Sequence, residues 1–326
     1  MKRQLGSDGP IVHALGLGCM SFGGLTGPTT QDESMAALDA AWDQGITFFD
    51  TANVYGPHTS EAVIGTWIAS RGHRPTVASK AGITRNPDRP ADNSAKHLEV
   101  ELDASLRRLG LDHLPLFYIH RRDQSVPVED VAETMGQFIK AGKIGGWGLS
   151  EVAPATIRRA HAHTPLWAVQ NEYSLWTRQP ELGVLQTCAE LGITFVPFSP
   201  LGRGAFGDPP MTADHPDLGD FRKAVPRFQG RNWNENAAYL AKFRALAQAH
   251  DVTSAALALA WVLAKGDNIL PIPGSRTANH ITQWAQATAI AKDRDLLAKV
   301  DAALPMGWVA GDRDSPQQAA LPERYR

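Results

Sequence analysis

Two hydrophobic periods alternate along the chain. Short β-branched or aromatic runs are followed by longer stretches in which apolar residues recur every three or four positions. A first strand is predicted over 16–20. Thr30 then caps a helix, with Glu33 three positions on completing a capping box. Met35, Leu38 and Trp42 mark that helix's apolar face, and Gly45 ends it. Strands are predicted over 46–49, 76–79, 114–119, 144–149, 167–170, 193–198 and 269–272. Helices are predicted over 94–109, 128–141, 155–162, 181–191, 255–264 and 277–289. In the 94–109 helix Leu98, Leu102, Leu106 and Leu109 share one face, and Gly110 closes it.

Strands that alternate with helices predict an α/β chain with a parallel sheet covered by helices. About eight such units favour a closed (β/α)₈ TIM barrel over an open doubly wound sheet, as one domain spanning 1–326. The first residues differ. From Gln4 to Val12, with a turn at Ser7 to Gly9, they form an N-terminal β-hairpin able to plug the bottom of the barrel. Residues 201–234, rich in Gly, Pro and charge, form a long loop over the C-terminal face. The tail from Pro305 is irregular and ends in charged residues.

Composition excludes more than it selects. The 326 residues carry a formal net charge of −2 with the charges scattered, which argues against a nucleic-acid or membrane-surface partner. The two cysteines, Cys19 and Cys188, allow no disulfide framework and no zinc site. The first residues hold no apolar signal-peptide core, and the longest apolar run, 255–264, is too short to span a bilayer. A cytoplasmic monomer acting on a small molecule is expected, without a metal.

The candidate chemistry lies at strand ends. One strand ends in Asp50, with Tyr55 in the loop beyond; another ends in Lys80 and a third in His120. In a barrel all strand C-termini open on one face, so an acid, a phenol, an amine and an imidazole share one rim. Each has an ordinary structural use on its own. Together they suit carbonyl reduction, in which the carbonyl oxygen must be protonated. A free tyrosine, with a pKa near 10, is a poor acid. A nearby ammonium would lower that pKa, a carboxylate would orient the ammonium, and a neutral histidine could hydrogen-bond the developing oxyanion. Gly202 to Gly207 fits the dinucleotide pattern G-x-G-x-x-G, but Asp208-Pro209-Pro210 prevents the helix that pattern requires. Its glycines and Arg203 would still suit a pyrophosphate. Gly274, Ser275 and Arg276, leaving the last strand for a helix, would suit a phosphate better.

The run from Phe49 through Asp50 and Tyr55 to Gly56, then Ser60-Glu61 and Ile64-Gly65, resembles the first signature of the aldo-keto reductase superfamily. Residues 114–120 resemble its histidine strand and Ser79-Lys80 its lysine strand. The likeness runs in order from Gly16 to about Ala289. It implies a catalytic tetrad of Asp50, Tyr55, Lys80 and His120, with Tyr55 as general acid, and NADPH as cofactor. By the same resemblance, Gly18, Cys19 and Met20 line the cofactor. Ser150 and Gln170-Asn171 hold the nicotinamide amide, and Phe198 stacks on its ring. Ser199, Pro200, Leu201, Gly202 and Arg203 follow the chain over the cofactor. Ser275, Arg276, His280 and Gln283 grip the adenosine 2′-phosphate and adenine. Trp284 and Glu151 stand where the family usually has Asn.

Met20, Phe22, Trp233 and Trp308 are expected to line the substrate pocket with Tyr55 and His120. Arg121 and Arg122 are read as solvated surface charges, or as a preference for an anionic substrate. The implied activity is NADPH-dependent reduction of an aldehyde or ketone. The alternative is a cofactor-binding regulatory barrel with little turnover.

Overall fold

A computed structural model describes residues 1–84, 86–212 and 220–324. The chain opens with an antiparallel pair, β1 (Lys2–Gln4) and β2 (Ile11–His13), with Arg3 opposite Val12. Seven further strands follow: β3 (Leu17–Gly18), β4 (Phe48–Asp50), β5 (Thr76–Ala81), β6 (Leu114–Ile119), β7 (Ile144–Ser150), β8 (Ala168–Gln170) and β9 (Thr194–Phe195). They lie side by side in chain order, each pair parallel.

Residues 269–274 join the two edges of this sheet. Phe195 bridges Ile269 and Phe198 bridges Ile272 on one side, and Gly18 bridges Gly274 on the other, all in parallel. The Leu270 amide donates to the Phe195 carbonyl at 2.9 Å, and the Gly18 amide to the Pro273 carbonyl at 2.9 Å. The segment contributes bridges rather than a continuous ladder because Pro271 and Pro273 have no N–H to donate. A Cβ on Gly18 would stand 2.8 Å from the Ile272 carbonyl oxygen, so the join needs glycine there.

The helices are α1 (Gln31–Asp43), α2 (Thr59–Arg71), α3 (Ala95–Leu109), α4 (Val128–Lys140), α5 (Pro154–His163), α6 (Val184–Glu190), α7 (Asp220–Lys223), α8 (Gly230–Ala249), α9 (Ser254–Leu263), α10 (Ala278–Thr282), α11 (Ala287–Ile290) and α12 (Arg294–Ala303). The capping box of α1 forms as predicted: Thr30 Oγ1 accepts from the Glu33 amide at 3.2 Å, and Glu33 Oε2 accepts from the Thr30 amide at 2.8 Å. Two predicted helices are shorter than their sequence patterns. Gly183, at φ 135°, splits 181–191 into a 3₁₀ turn and α6. The 277–289 stretch breaks between α10 and α11. The loop expected over 201–234 includes residues 213–219, outside the described residues, and closes early because α8 starts at Gly230. The end of the expected charged tail, 325–326, also lies outside them. Helices α2, α7, α8 and α12 carry no sequence prediction.

Side chains alternate across each strand, and the alternation makes two cores. Leu17, Phe49, Val77, Phe117, Ile119, Leu149 and Val169 face the helices. Phe48, Ala78, Leu116, Tyr118, Ala168, Val196, Leu270 and Ile272 form a separate inner cluster, which Leu5 and Val12 of the opening strand pair complete. Leu5 is fully buried and Val12 is 2% exposed. Each such side chain contributes on the order of 1.5–3 kcal/mol, so the pair is an integral part of the inner core. Among the described residues no single helix is long and apolar enough to cross a membrane.

Candidate active site

The same alternation builds the site. Two residues beyond inner Phe48 comes Asp50, two beyond Ala78 comes Lys80, two beyond Tyr118 comes His120, and two beyond Ala168 comes Gln170. One further pleat along four parallel strands thus replaces an apolar layer with a polar one. Lys80 is fully buried. Its Nζ donates to Asp50 Oδ1 and, at 2.8 Å, to the Thr51 carbonyl. Gln170 Nε2 donates to the other Asp50 oxygen at 2.8 Å. The Lys80 ammonium lies 5.3 Å from the Tyr55 ring centroid, and the Tyr55 and His120 rings meet edge to face at 5.8 Å. Backbone contact fixes the Tyr55 loop. A Cβ on Gly23 would come within 2.5 Å of the Gly56 nitrogen and 2.7 Å of the Tyr55 carbonyl carbon. Gly56 itself sits at φ 79°.

Burial and charge set the protonation states. Burial works against the Lys80 charge, but Asp50 and then Tyr55 outweigh it and hold its pKa above the ordinary value. Burial pushes the Tyr55 phenol up further than the Lys80 and Arg121 charges pull it down. The expectation of a depressed Tyr55 pKa is therefore corrected: the phenol holds its proton firmly at neutral pH. Burial, then the Arg121 and Lys80 charges, drive His120 well below its ordinary value, so the ring is neutral. Among the described residues its buried Nδ1 has no hydrogen-bond partner.

Tyr55, His120 and Asp50 open into a cavity of about 560 Å³. Most of the predicted cofactor residues line it: Gly18, Cys19, Met20, Ser150, Gln170, Phe198, Ser199, Pro200, Leu201, Arg203, Gly274, Ser275, Arg276, His280 and Gln283. Trp284 lines it too, although it is only 1% exposed and largely part of the helix-facing core. Several predictions need correction. Gly202 is buried against Phe206 and Trp176 rather than in the cavity wall. Trp308 packs among Trp176, Phe206 and Tyr239 and donates Nε1 to the Leu175 carbonyl at 3.0 Å, away from the lining. Trp233 stacks on Phe228, and Phe22 is 2% exposed in the core; neither lines the cavity. Arg121 and Arg122 diverge: Arg121 lines the cavity, whereas Arg122 donates to the Val126 carbonyl and pairs with Glu323.

The sequence reading did not anticipate the partners of the rim residues. Ser150 Oγ accepts from Arg121 Nη1 at 2.9 Å. Glu151, at φ 56°, pairs with Arg313 at 2.7 Å. Arg203 donates to Glu172 at 2.6 Å and to Asp314 at 2.8 Å. Thr26, Asp208, Met211 and Arg222 also line the cavity, and Arg222 donates to the Thr26 carbonyl at 3.0 Å. Arg276 donates to the Pro28 carbonyl at 2.9 Å. These contacts join segments far apart in the chain, which no local sequence signal reports.

A parallel α/β sheet with its helices outside, a buried ion pair beneath a phenol and a neutral imidazole, and a deep cavity at the strand C-termini define an oxidoreductase-type barrel site. The Aldo/keto reductase family model matches residues 14–305, and the chain belongs to that family. It is 39% identical over 317 residues to "Probable aldo-keto reductase 1" of Glycine max, covering 95% of this chain and 90% of that protein. It is 37% identical over 322 residues to the Schizosaccharomyces pombe protein named "Aldo-keto reductase yakc [NADP(+)]", covering 96% and 94%. Among solved structures, the glycerol dehydrogenase AKR11B4 from Gluconobacter oxydans superposes with a TM-score of 0.78 at 23% identity, covering 93% of this chain and 96% of that one, which shows the shared fold.

Proposed function

We propose that residues 1–326 form a single (β/α)₈-barrel enzyme, closed by 269–274 and plugged by the opening strand pair, that reduces an aldehyde or ketone with NADPH. The observation that carries this reading is the stacked order Asp50, Lys80, Tyr55, His120 at the mouth of the cavity. Bound NADPH supplies the hydride that the carbonyl carbon accepts.

The lining fits that group. Ser275, Arg276, His280 and Gln283 offer a hydroxyl, a guanidinium and ring and amide donors for a phosphorylated ribose and adenine. Gly18 and Gly274 bring backbone, without side chains, to the cavity wall. Phe198 offers a flat face near the tetrad. The name of the Schizosaccharomyces pombe relative carries NADP(+) and supports the same choice.

The side chains divide the remaining work. Tyr55 gives its hydroxyl proton to the carbonyl oxygen as the C=O π bond breaks. Lys80, kept charged by Asp50, stabilises the phenolate left behind, and Gln170 holds Asp50 in place. His120, neutral, orients the carbonyl oxygen. A phenol that keeps its proton at neutral pH can still donate it here, because an alkoxide is a much stronger base than a phenolate.

The test follows nicotinamide absorbance with NADPH and with NADH against a panel of carbonyl compounds. Tyr55→Phe is expected to lose at least about 10²-fold in kcat while still quenching with NADPH. Near-full turnover in Tyr55→Phe would sink the mechanism.

A further inference from the structure

The rim beside the tetrad carries a dense set of charges, and most are satisfied within the protein. Arg203 is shared between Glu172 and Asp314. Arg313 is shared between Glu151 at 2.7 Å and Asp314 at 2.6 Å. Arg122, buried but not part of the cavity lining, pairs with Glu323. Arg121 differs. It is partly buried, lines the cavity, and has no carboxylate partner of its own among the described residues. The carboxylates whose charges act on it, Glu151 and Asp314, already serve Arg313 and Arg203.

The hydrogen bonds of Arg121 fix its orientation. Nη1 donates to the His120 carbonyl at 2.6 Å and to Ser150 Oγ at 2.9 Å. The guanidinium carbon lies 6.0 Å from the Phe198 ring centroid. One corner of the fork is thus tied down, and among the described residues Nε and Nη2 have no hydrogen-bond partner. Those two nitrogens lie on one edge of the planar group, the spacing that receives both oxygens of a carboxylate. The group is held by the residue after His120 and by the end of β7, so it flanks the space where a carbonyl would meet Tyr55 and His120.

Resting on the reductase reading above, we propose that Arg121 selects the substrate: the enzyme prefers an aldehyde or ketone that also carries a carboxylate, which docks on the Nε/Nη2 edge while its carbonyl lies against Tyr55 and His120. One unpaired guanidinium suits one negative charge. A dianionic phosphate would call for a second open cation at this end, where Arg203, Arg313 and Arg122 are already paired. The reaction is unchanged in kind: the carbonyl carbon gains hydride, its oxygen gains the Tyr55 proton, and the carboxylate keeps its charge throughout.

The test compares a series of oxo acids, with two to about five carbons between carbonyl and carboxylate, against their methyl esters. The readout is the ratio of kcat/KM for acid over ester, which cancels any general effect on catalysis. The wild type is expected to favour the acid by about 10- to 100-fold at its best chain length. Arg121→Gln is expected to bring the ratio close to one, chiefly through KM of the acid. Arg121→Lys keeps the charge but loses the fork, and should fall between. Arg122→Gln, altered on the neighbour that does not line the cavity, should keep the wild-type ratio. A wild type that reduces esters as well as acids, or an Arg121→Gln variant that keeps the acid preference, overturns the proposal and leaves the reductase reading standing. Reduction of neither series, with NADPH bound, overturns both.

Discussion

Lys80→Met replaces the buried ammonium with a side chain of similar length. Its Nζ lies 5.3 Å from the Tyr55 ring centroid. At an effective dielectric of about 20, a unit charge at that range is worth about 3 kcal/mol, or about two pKa units. In the proposed mechanism, the phenolate left when Tyr55 gives up its proton loses that stabilisation. If half of the charge has developed in the transition state, kcat falls about 10-fold; if all of it has, about 10²-fold. The alkaline limb of the pH–rate profile for reduction should also move, because a phenol without its neighbouring cation keeps its proton to higher pH. The expected shift is upward by about two units. The fold should survive, since burial already pushes the Asp50 carboxyl toward its neutral form and Asp50 can take up a proton once Lys80 is gone. The assay is kcat against pH with saturating NADPH, beside a thermal melt and a cofactor-quenching titration. A variant that melts normally, binds NADPH, and keeps kcat within about 3-fold with its alkaline limb unmoved would refute the claim that Lys80 acts on Tyr55 through its charge.

Two other outcomes follow from the same geometry. His120 is held neutral in the folded state well below its ordinary pKa, so as pH falls through about 6.5 the unfolded chain binds a proton that the native chain refuses, and stability drops. Urea melts between about pH 7.5 and 5.5 should show a smaller loss of stability for His120→Asn than for the wild type, and parallel slopes would count against it. Gly23→Ala places a methyl group against the Gly56 nitrogen and the Tyr55 carbonyl carbon; kcat should fall by at least about 10-fold through misplacement of the phenol, and an unchanged kcat would show that the loop yields without cost.

Much of this site was legible because parallel strands read out their inner face every second residue. Asp50, Lys80 and His120 follow Phe48, Ala78 and Tyr118 by two positions, and the sequence alone carries that parity. Arg121 and Arg122 look alike in sequence, yet one faces the cavity and the other pairs with Glu323. Their fates depend on Ser150 and on the tail, which the sequence separates from them. Trp308 suggested a pocket aromatic, but its indole N–H finds the Leu175 carbonyl in the core. Helix α2 buries Ser60, Glu61, Ile64 and Trp67 on one face, but the first two are polar, so the apolar stripe that marks a helix in sequence is broken. Its Gly65 lies where a Cβ would stand 2.3 Å from the Arg108 carbonyl oxygen, a close approach visible only in three dimensions.

The seam where 269–274 meets β3 has a bearing on how the chain reaches its native state. Gly18 and Gly274 are neighbours across it although most of the sequence lies between them. Such a contact closes a long loop and raises the contact order that slows folding. It is also held by scattered bridges, so it is a natural place for local opening. The residues assigned to the dinucleotide come from both banks, Gly18 to Met20 on one and Gly274 to Gln283 on the other. A ligand that needs both banks together binds only the closed ring, and mass action then favours closure. The cofactor would serve this barrel as a clasp as well as a reagent, and the enzyme's lifetime in a cell would follow the supply of its reductant.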